Sequence, residues 1–299
     1  MNKVKLILLV GAGLAMIAMP VKADVDVDRT VDASPTGEVE IETISGRIEV
    51  EGWSRNEVQV TGTIGDDVEE LIVERDGDEV TIKTEVDESW WGSSDSDADL
   101  LIRVPAGSSV EVSTVSSNID VEGVNGEIEA DAVSGNVTID GADGDISGNT
   151  VSGDVRITGN TSVIDVEGTS VSGNVIIKDV AGSAYGESVS GRIEVSGDTF
   201  SEVDLETVNG RIEFRGELSD GAEFDAESVN GRIELALTGD VSASFDIETF
   251  NGSIRNCFGP KPERTSKYAP GSELRFTHGG GAADVELETL NGSIVICND

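Results

Sequence analysis

A five-residue pattern recurs along most of the chain and constrains its fold more than any other feature. It consists of an apolar residue, Ser or Asn, Gly, any residue, and then Ile or Val, and its first copy is ISGRI at residues 44–48. Degenerate copies lie at residues 115–119 and 142–146. Early glycines are 9 residues apart and later ones about 20, which predicts coils of 18–21 residues with two similar sides. The further copies surround Gly126, Gly135, Gly153, Gly173, Gly191, Gly210, Gly231, Gly252 and Gly292.

Two all-β folds could produce this pattern. Asn-Gly between alternating segments, as in residues 203–214, is a strong signal for a hairpin turn. A two-residue hairpin loop would place Glu206 opposite Glu213, an unfavourable pair of like charges. It would also leave Val208 on the polar side, although an apolar residue recurs there, so we expect this residue to turn inward beside Leu205. We therefore favour a β-solenoid of stacked coils over a meander of hairpins.

The solenoid assigns a structural role to each position of the pattern. Glycine would supply a positive φ at every corner, and the Ser or Asn before it would stack on its equivalents as a hydrogen-bonded ladder. Outward Arg and Glu residues would flank a buried Ile and form weak surface ion pairs. These pairs are Arg47 with Glu49, Arg192 with Glu194, Arg211 with Glu213, and Arg232 with Glu234. The predicted ladder contains Ser134, Ser152, Ser172, Ser190, Asn209, Asn230, Asn251 and Asn291.

The repeat is weaker near the N-terminus, which divides the chain into two predicted regions. Residues 24–108 read as a short region of antiparallel strands, and residues 109–299 as the solenoid. Within the first region, Asp76-Gly77 between two apolar segments predicts a hairpin. Residues 87–99, which contain Trp90 and Trp91, read as a surface loop.

Residues 1–23 have the features of a secretory signal peptide. Lys3 and Lys5 precede an apolar run at residues 6–19, and the small residue Ala23 provides a cleavage point. The alternative is an N-terminal membrane anchor, but the run is shorter than the roughly 20 residues that span a bilayer. We expect export to the periplasm, the cell surface or the medium, with no stable membrane insertion after cleavage.

The two cysteines occupy equivalent places in their repeats. Cys257 and Cys297 each lie five residues after a pattern glycine, and no copy of the pattern separates those two glycines. Residues 258–284 are therefore interpreted as an excursion from one coil. Equivalent Cα atoms of adjacent coils lie about 4.8 Å apart, within disulfide range. We predict a Cys257–Cys297 disulfide, with two free thiols as the alternative.

Composition excludes several kinds of function. The chain has 20 Lys and Arg against 59 Asp and Glu, a net charge of −39, which disfavours nucleic-acid binding. The only histidine, His278, is expected in an exposed loop, and no catalytic triad or metal-ligating set of His and Cys can be assembled around it.

Residues 95–99 resemble the start of a calcium loop but lack its later ligands, so weak calcium binding is the most they indicate. We expect no catalytic residues, no metal site and no cofactor.

A family resemblance rests on residues 104–108 (VPAGS), residues 111–115 (EVSTV) and the run of Val-Ser-Gly-x-Val/Ile units. These motifs resemble the bacterial putative-adhesin domain family over residues 36–299. The resemblance implies a β-solenoid in a cell-envelope setting and supplies no catalytic residues to transfer. We therefore expect a non-enzymatic, exported adhesin or envelope interaction scaffold whose partner is a surface protein or glycan. The alternatives are a polysaccharide lyase or hydrolase using a carboxylate pair, and a periplasmic partner of an envelope signalling system.

Overall fold

The computed structural model describes residues 24–86, 96–266 and 270–298, and every regular element among them is a β-strand. The predicted signal peptide, Trp90, Trp91 and Asp95 lie outside these residues. The strands are β1 Val25–Asp32, β2 Glu38–Trp53, β3 Glu57–Ile64, β4 Val68–Asp76, β5 Glu79–Val86, β6 Asp97–Pro105, β7 Ser109–Glu122, β8 Ile128–Ser134, β9 Val137–Asp140, β10 Ile146–Ser152, β11 Val155–Thr158, β12 Val163–Ser170, β13 Val175–Ser188, β14 Ile193–Leu237, β15 Ala243–Asn256, β16 Glu263–Arg264, β17 Ser272–His278 and β18 Ala283–Asn298.

Most of these strands form one parallel stack in which each coil of the chain, here called a layer, lies on its neighbour. Val110 pairs with Ile128, and Ile128 pairs in turn with Ile146, so equivalent pattern positions are neighbours. The Asn-Gly sequences are not hairpin turns. Glu206 pairs with Glu187 of the adjacent layer in parallel register, which excludes the hairpin meander in this part of the chain.

The core lies between the two strands of each layer. Because side chains alternate between the two sides of a strand, every second residue faces inward and meets its equivalent in the next layer. The column that follows the pattern glycines is β-branched in every layer and is buried, and its side chains stack along the full length of the molecule. Its members are Ile48, Ile119, Val137, Val155, Val175, Ile193, Ile212, Ile233, Ile294 and Ile254.

The pattern glycines are required mainly by close packing between layers. A Cβ on Gly210 would lie 1.8 Å from the carbonyl oxygen of Gly191, and one on Gly231 would lie 1.7 Å from that of Gly210. No side chain fits into such a space. The expectation of a positive φ at every corner is wrong, because among the pattern glycines only Gly46, Gly135 and Gly153 have a positive φ.

At the N-terminal end, parallel stacking extends further than the repeat pattern indicated. β2 pairs in parallel with β7 on one side and with β5 and β6 on the other. β4 pairs with β5 in the predicted hairpin, in which Asp76 lies opposite Glu79. β3 pairs antiparallel with β6, and β1 with β3. Antiparallel strands therefore cover the edge of the stack at this end.

At the C-terminal end, the order of layers in space differs from their order in the chain. β18 lies between β14 and β15, because Val285 pairs with both Phe224 and Phe245. β17 pairs antiparallel with β15 and covers its outer edge. His278 is the last residue of β17, is half-buried and has its ring centroid 4.9 Å from that of Phe258. The expectation that it lies in an exposed loop is therefore wrong.

A disulfide joins Cys257, directly after β15, to Cys297 near the end of β18. The two Cα atoms are 4.8 Å apart, the separation of neighbouring layers. The covalent bond thus links the last two parallel layers of the stack.

Candidate functional site

The two broad faces of the stack differ in charge. The first strand of each layer presents one face and the strand after the pattern glycine presents the other. We call them the acidic face and the paired face. Their outward side chains are arranged in columns, because equivalent residues of successive layers are in register.

Basic and acidic residues alternate and form ion pairs on the paired face. Arg211 Nη1 lies 2.6 Å from Glu213 Oε1 within one layer, and Arg192 Nη1 lies 3.7 Å from Glu213 Oε2 of the next. The pairs predicted from the pattern are confirmed, since Arg47, Arg192, Arg211 and Arg232 each contact the glutamate two residues later. This face therefore neutralises most of its own charge.

Columns of carboxylates without such partners form the acidic face. In the C-terminal half, each layer contributes outward acidic residues. Among the ion pairs of the described residues, two involve this face and both lie near its ends: Lys83 contacts Glu42, and Arg275 contacts Asp246. Burial, followed by repulsion from neighbouring carboxylates, raises the pKa of carboxyl groups along the columns. The affected residues are Glu40, Glu111, Asp204, Glu206, Asp225 and Glu288.

A row of exposed apolar side chains, the apolar edge, runs along one border of the acidic face. Val208 is 40% exposed and Phe250 is 60% exposed, so the expectation that this position turns inward is wrong. The inward and outward alternation continues through Val208, and the corner follows it at Asn209 and Gly210. The exposed members are Val115, Val133, Val151, Val171, Val208, Val229, Leu290 and Phe250.

The apolar edge and the neighbouring glutamates enclose a groove in the C-terminal half of the molecule. Five successive layers each contribute one glutamate, and this glutamate column contains Glu187, Glu206, Glu227, Glu288 and Glu248. The opposite wall contains Val208, Val229, Leu290 and Phe250, and the volume of the groove is about 330 Å³. At a layer spacing of about 4.8 Å, five layers extend over roughly 19 Å.

The equivalent column in the N-terminal half is hydrogen-bonded within itself and carries little charge. Asn149 Nδ2 donates to Asp131 Oδ1 at 2.9 Å, and Thr169 Oγ1 donates to Asn149 Oδ1 at 2.6 Å. In the glutamate column, by contrast, none of the ion pairs among the described residues involves Glu206, Glu227 or Glu288. The groove thus combines uncompensated negative charge with exposed apolar surface.

Hydroxyl groups along the groove also lack partners. Thr207, Ser228 and Thr289 line the groove, are more than nine-tenths buried, and have no hydrogen-bond partner for their side-chain oxygens among the described residues. Equivalent residues of earlier layers are satisfied, since Ser170 Oγ and Ser188 Oγ each donate to a glycine carbonyl at 2.9 Å. Unpaired buried hydroxyls carry a free-energy cost.

The predicted Ser/Asn ladder lies at the corner beside the apolar edge. Asn230 Nδ2 donates to Asn209 Oδ1 at 3.1 Å, Asn291 Nδ2 to Asn230 Oδ1 at 3.1 Å, and Asn251 Nδ2 to Asn291 Oδ1 at 3.3 Å. In the earlier layers, Ser134 pairs with Ser152. The stacked ladder residues therefore belong to the structural framework that borders the groove.

Sequence reasoning missed the groove, although its signal was present. The column is visible as a glutamate two residues before the apolar residue of the pattern in five repeats. The column was not recognised as part of a groove because the apolar residue was assigned to the core. Within the described ranges, no group of three or more His, Cys, Asp and Glu side chains is arranged to hold a metal ion, and no helix is long and apolar enough to cross a membrane.

The family of the chain follows from its sequence together with this architecture. Residues 37–296 match the model of the Toastrack DUF4097 family. The chain belongs to this family. The Toastrack match covers the parallel stack from β2 to β18 and confirms the family resemblance drawn from the motifs. No curated protein is significantly similar to this Toastrack chain.

Several solved structures are also similar to this Toastrack chain. One is a putative adhesin from Bacteroides fragilis NCTC 9343, with 12% identity, a TM-score of 0.38, and coverage of 92% of this chain and 99% of that chain. A putative cell adhesion protein from Clostridium sporogenes ATCC 15579 has 10% identity, a TM-score of 0.24, and coverage of 92% and 100%. A putative lipid binding protein from Parabacteroides distasonis ATCC 8503 has 16% identity, a TM-score of 0.42, and coverage of 91% and 96%.

Proposed function

We propose that this protein is a non-enzymatic, exported β-solenoid that binds a component of the cell envelope through its acidic face. The observation that carries the proposal is the charge difference between the two faces. Arg and Lys side chains neutralise the glutamates of the paired face, whereas the carboxylate columns of the acidic face remain open between Lys83 and Arg275. In-register like charges weaken a sheet, so a free energy cost is concentrated on one side of the molecule.

A binding role accounts for this cost. Carboxylates repel one another in the free protein. A cationic or hydrogen-bonding partner that covers them reduces this repulsion, which favours association. Val110 pairs with Ile128, Ile128 with Ile146, and Ile146 with Val166, and these register offsets support the coil length expected from the repeat. A stack of such coils holds the columns in fixed positions over a long surface.

A comparison of two charge variants tests the proposal. In the first, Glu202→Gln, Asp204→Asn and Glu223→Gln neutralise part of the acidic face. In the second, Glu49→Gln, Asp120→Asn and Glu122→Gln remove the same formal charge from the paired face. We expect the first variant to bind isolated envelope preparations at least tenfold more weakly than the parent protein, and the second to bind within twofold of it.

Localisation and activity are measured alongside binding. Protease treatment of intact cells, followed by detection of the mature protein, separates exposure at the cell surface from a periplasmic location. Equal binding by both variants would overturn the role of the acidic face. Release of reducing ends or unsaturated sugars from a panel of acidic and neutral glycans would overturn the non-enzymatic assignment.

A further inference from the structure

The groove beside the glutamate column is a more specific surface than the acidic face as a whole. It brings exposed apolar side chains, glutamates outside the ion pairs and unpartnered hydroxyls together in the layers of Glu206, Glu227 and Glu288. Contiguous apolar surface rimmed by polar groups marks interaction sites on soluble proteins. The N-terminal half has valines at the same edge, but the column beside them is hydrogen-bonded within itself and carries little charge.

Charge complementarity determines which kind of partner can fill this groove. A second copy of the chain would bring a net charge of −39 to an already negative surface. Nucleic acids and anionic lipid surfaces are repelled for the same reason. A neutral apolar partner would bury Glu206, Glu227 and Glu288 without counter-charges, which is costly. The occupant must therefore present cations beside apolar groups.

The spacing of the layers determines the shape of the occupant. Layers repeat about every 4.8 Å, close to the roughly 5.4 Å pitch of an α-helix, whereas same-side residues of a strand lie about 6.7 Å apart. Over the roughly 19 Å length of the groove, a helix drifts by only about 2 Å from the layers, which flexible side chains can absorb. This length corresponds to about 13 helical residues.

We propose that the groove binds a cationic amphipathic helix of a partner protein, with apolar side chains on Val208, Val229, Leu290 and Phe250 and with Lys or Arg on the glutamate column. This inference deepens the proposed function and rests on it. Burial and neighbouring carboxylates already raise the pKa of Glu206 and Glu288, and a row of cations would relieve that repulsion. The groove is a helix-in-groove site whose selectivity comes from charge.

The probe is a peptide that contains only Leu and Lys, with Leu at helical spacing i, i+3, i+4 and i+7. Its length is about 14 residues, which matches the helix that the groove can hold. Its binding to the mature protein is measured by fluorescence anisotropy at physiological salt. A peptide of the same composition with strictly alternating Leu and Lys presents a strand pattern, and a third peptide replaces every Lys by Glu. We expect the helical cationic peptide to bind at least tenfold more tightly than either control.

Variants then locate the binding surface. Glu206→Gln with Glu227→Gln and Glu288→Gln, and separately Leu290→Ser with Phe250→Ser, are each expected to weaken binding of the helical peptide at least tenfold. The matched controls lie in the N-terminal half: Glu129→Gln with Asp145→Asn and Glu167→Gln, and Val133→Ser with Val151→Ser. We expect the controls to remain within twofold of the parent protein, and circular dichroism verifies that every variant is folded.

Several results would overturn the inference. Equal losses in the groove variants and their controls would mean general attraction to an acidic protein. Equal affinity for the alternating peptide would exclude a helix as the occupant. Binding to vesicles containing phosphatidylglycerol, or a dimer dissociated by Phe250→Ser in analytical ultracentrifugation, would assign the groove to a membrane or to a second copy.

The two proposals can fail separately. If envelope binding depends on acidic-face charge but the groove variants bind the peptide as tightly as the parent protein does, the helix inference fails and the proposed function stands. If the peptide binds the groove but the envelope preparation does not bind the protein, the proposed function fails and the groove remains a helix-binding site.

Discussion

Replacement of Gly210 tests whether close packing, rather than backbone conformation, requires the pattern glycines. A Cβ at this position would lie 1.8 Å from the carbonyl oxygen of Gly191, whereas nonbonded heavy atoms normally stay about 3.5 Å apart. The two layers would have to separate locally by roughly 1.7 Å. That movement would weaken the hydrogen bond from Asn209 N to Val189 O, now 2.9 Å long. Overpacking at about 1–3 kcal/mol and at least one lost hydrogen bond at about 1 kcal/mol predict a loss of about 3 kcal/mol.

Gly221 provides the matched control, because it lies in the same strand with a φ of +84° and has no atom within 4 Å of an added Cβ. Asn tolerates a positive φ better than Ala. In urea denaturation followed by circular dichroism, we expect Gly221→Asn to cost less than Gly221→Ala. At Gly210, Asn should be no better than Ala. A Gly210→Asn variant as stable as the parent protein, or a Gly210→Ala variant that loses less than about 1 kcal/mol, would refute the close-packing argument.

Three further predictions follow from the core, the disulfide and the acidic columns. Phe214→Ala removes a ring whose centroid lies 5.0 Å from that of Phe200 and 4.8 Å from that of Phe224, and should cost about 3–5 kcal/mol in urea denaturation. Replacing both cysteines by Ala opens a link across 40 residues and should cost about 4 kcal/mol, with reduction of the parent protein producing a similar loss. Because the pKa values of Glu206, Asp204 and Asp225 are raised in the folded state, the folded protein binds protons more readily than the unfolded chain, so the melting temperature should rise as the pH falls from 7 toward about 5. Asp154, whose pKa is lowered mainly by a hydrogen bond from the Asn174 backbone, opposes this trend, and a melting temperature that falls over this range would contradict the prediction.

The sequence predicted the parallel stack, but one reason for choosing it was unsound. The hairpin was disfavoured because it opposed two glutamates, yet the stack places Glu206 beside Glu187. The regular repetition of the pattern was the better reason, because it brings the same residue to the same place whatever its charge. Like-charge repulsion therefore did not determine the fold.

Position Val208 shows why the groove was not recognised from the sequence. An apolar residue that recurs at the same position of every repeat is expected both in a buried core and at an exposed binding edge, so recurrence alone does not distinguish the two. Deciding between them requires knowing where the strand ends and the corner begins, and a shift of one residue reverses inside and outside. The equivalence of Cys257 and Cys297, by contrast, depended only on their offset from the pattern glycine, and the structure places them 4.8 Å apart.

The position of β18 between β14 and β15 has a consequence for how the molecule is assembled. Chains emerge from the ribosome or an export channel N-terminus first, so β14 and β15 are available before the 16 residues of β18. Until those residues arrive, the layer containing Phe224 has no native neighbour on its outer side, and its backbone groups are free to pair with another chain. A repeat protein that is stacked in chain order can lose its last coil and keep the rest. Here, a chain stopped before Ala283 would lack an internal layer, so truncation at the C-terminus would leave an aggregation-prone product rather than a shorter stack.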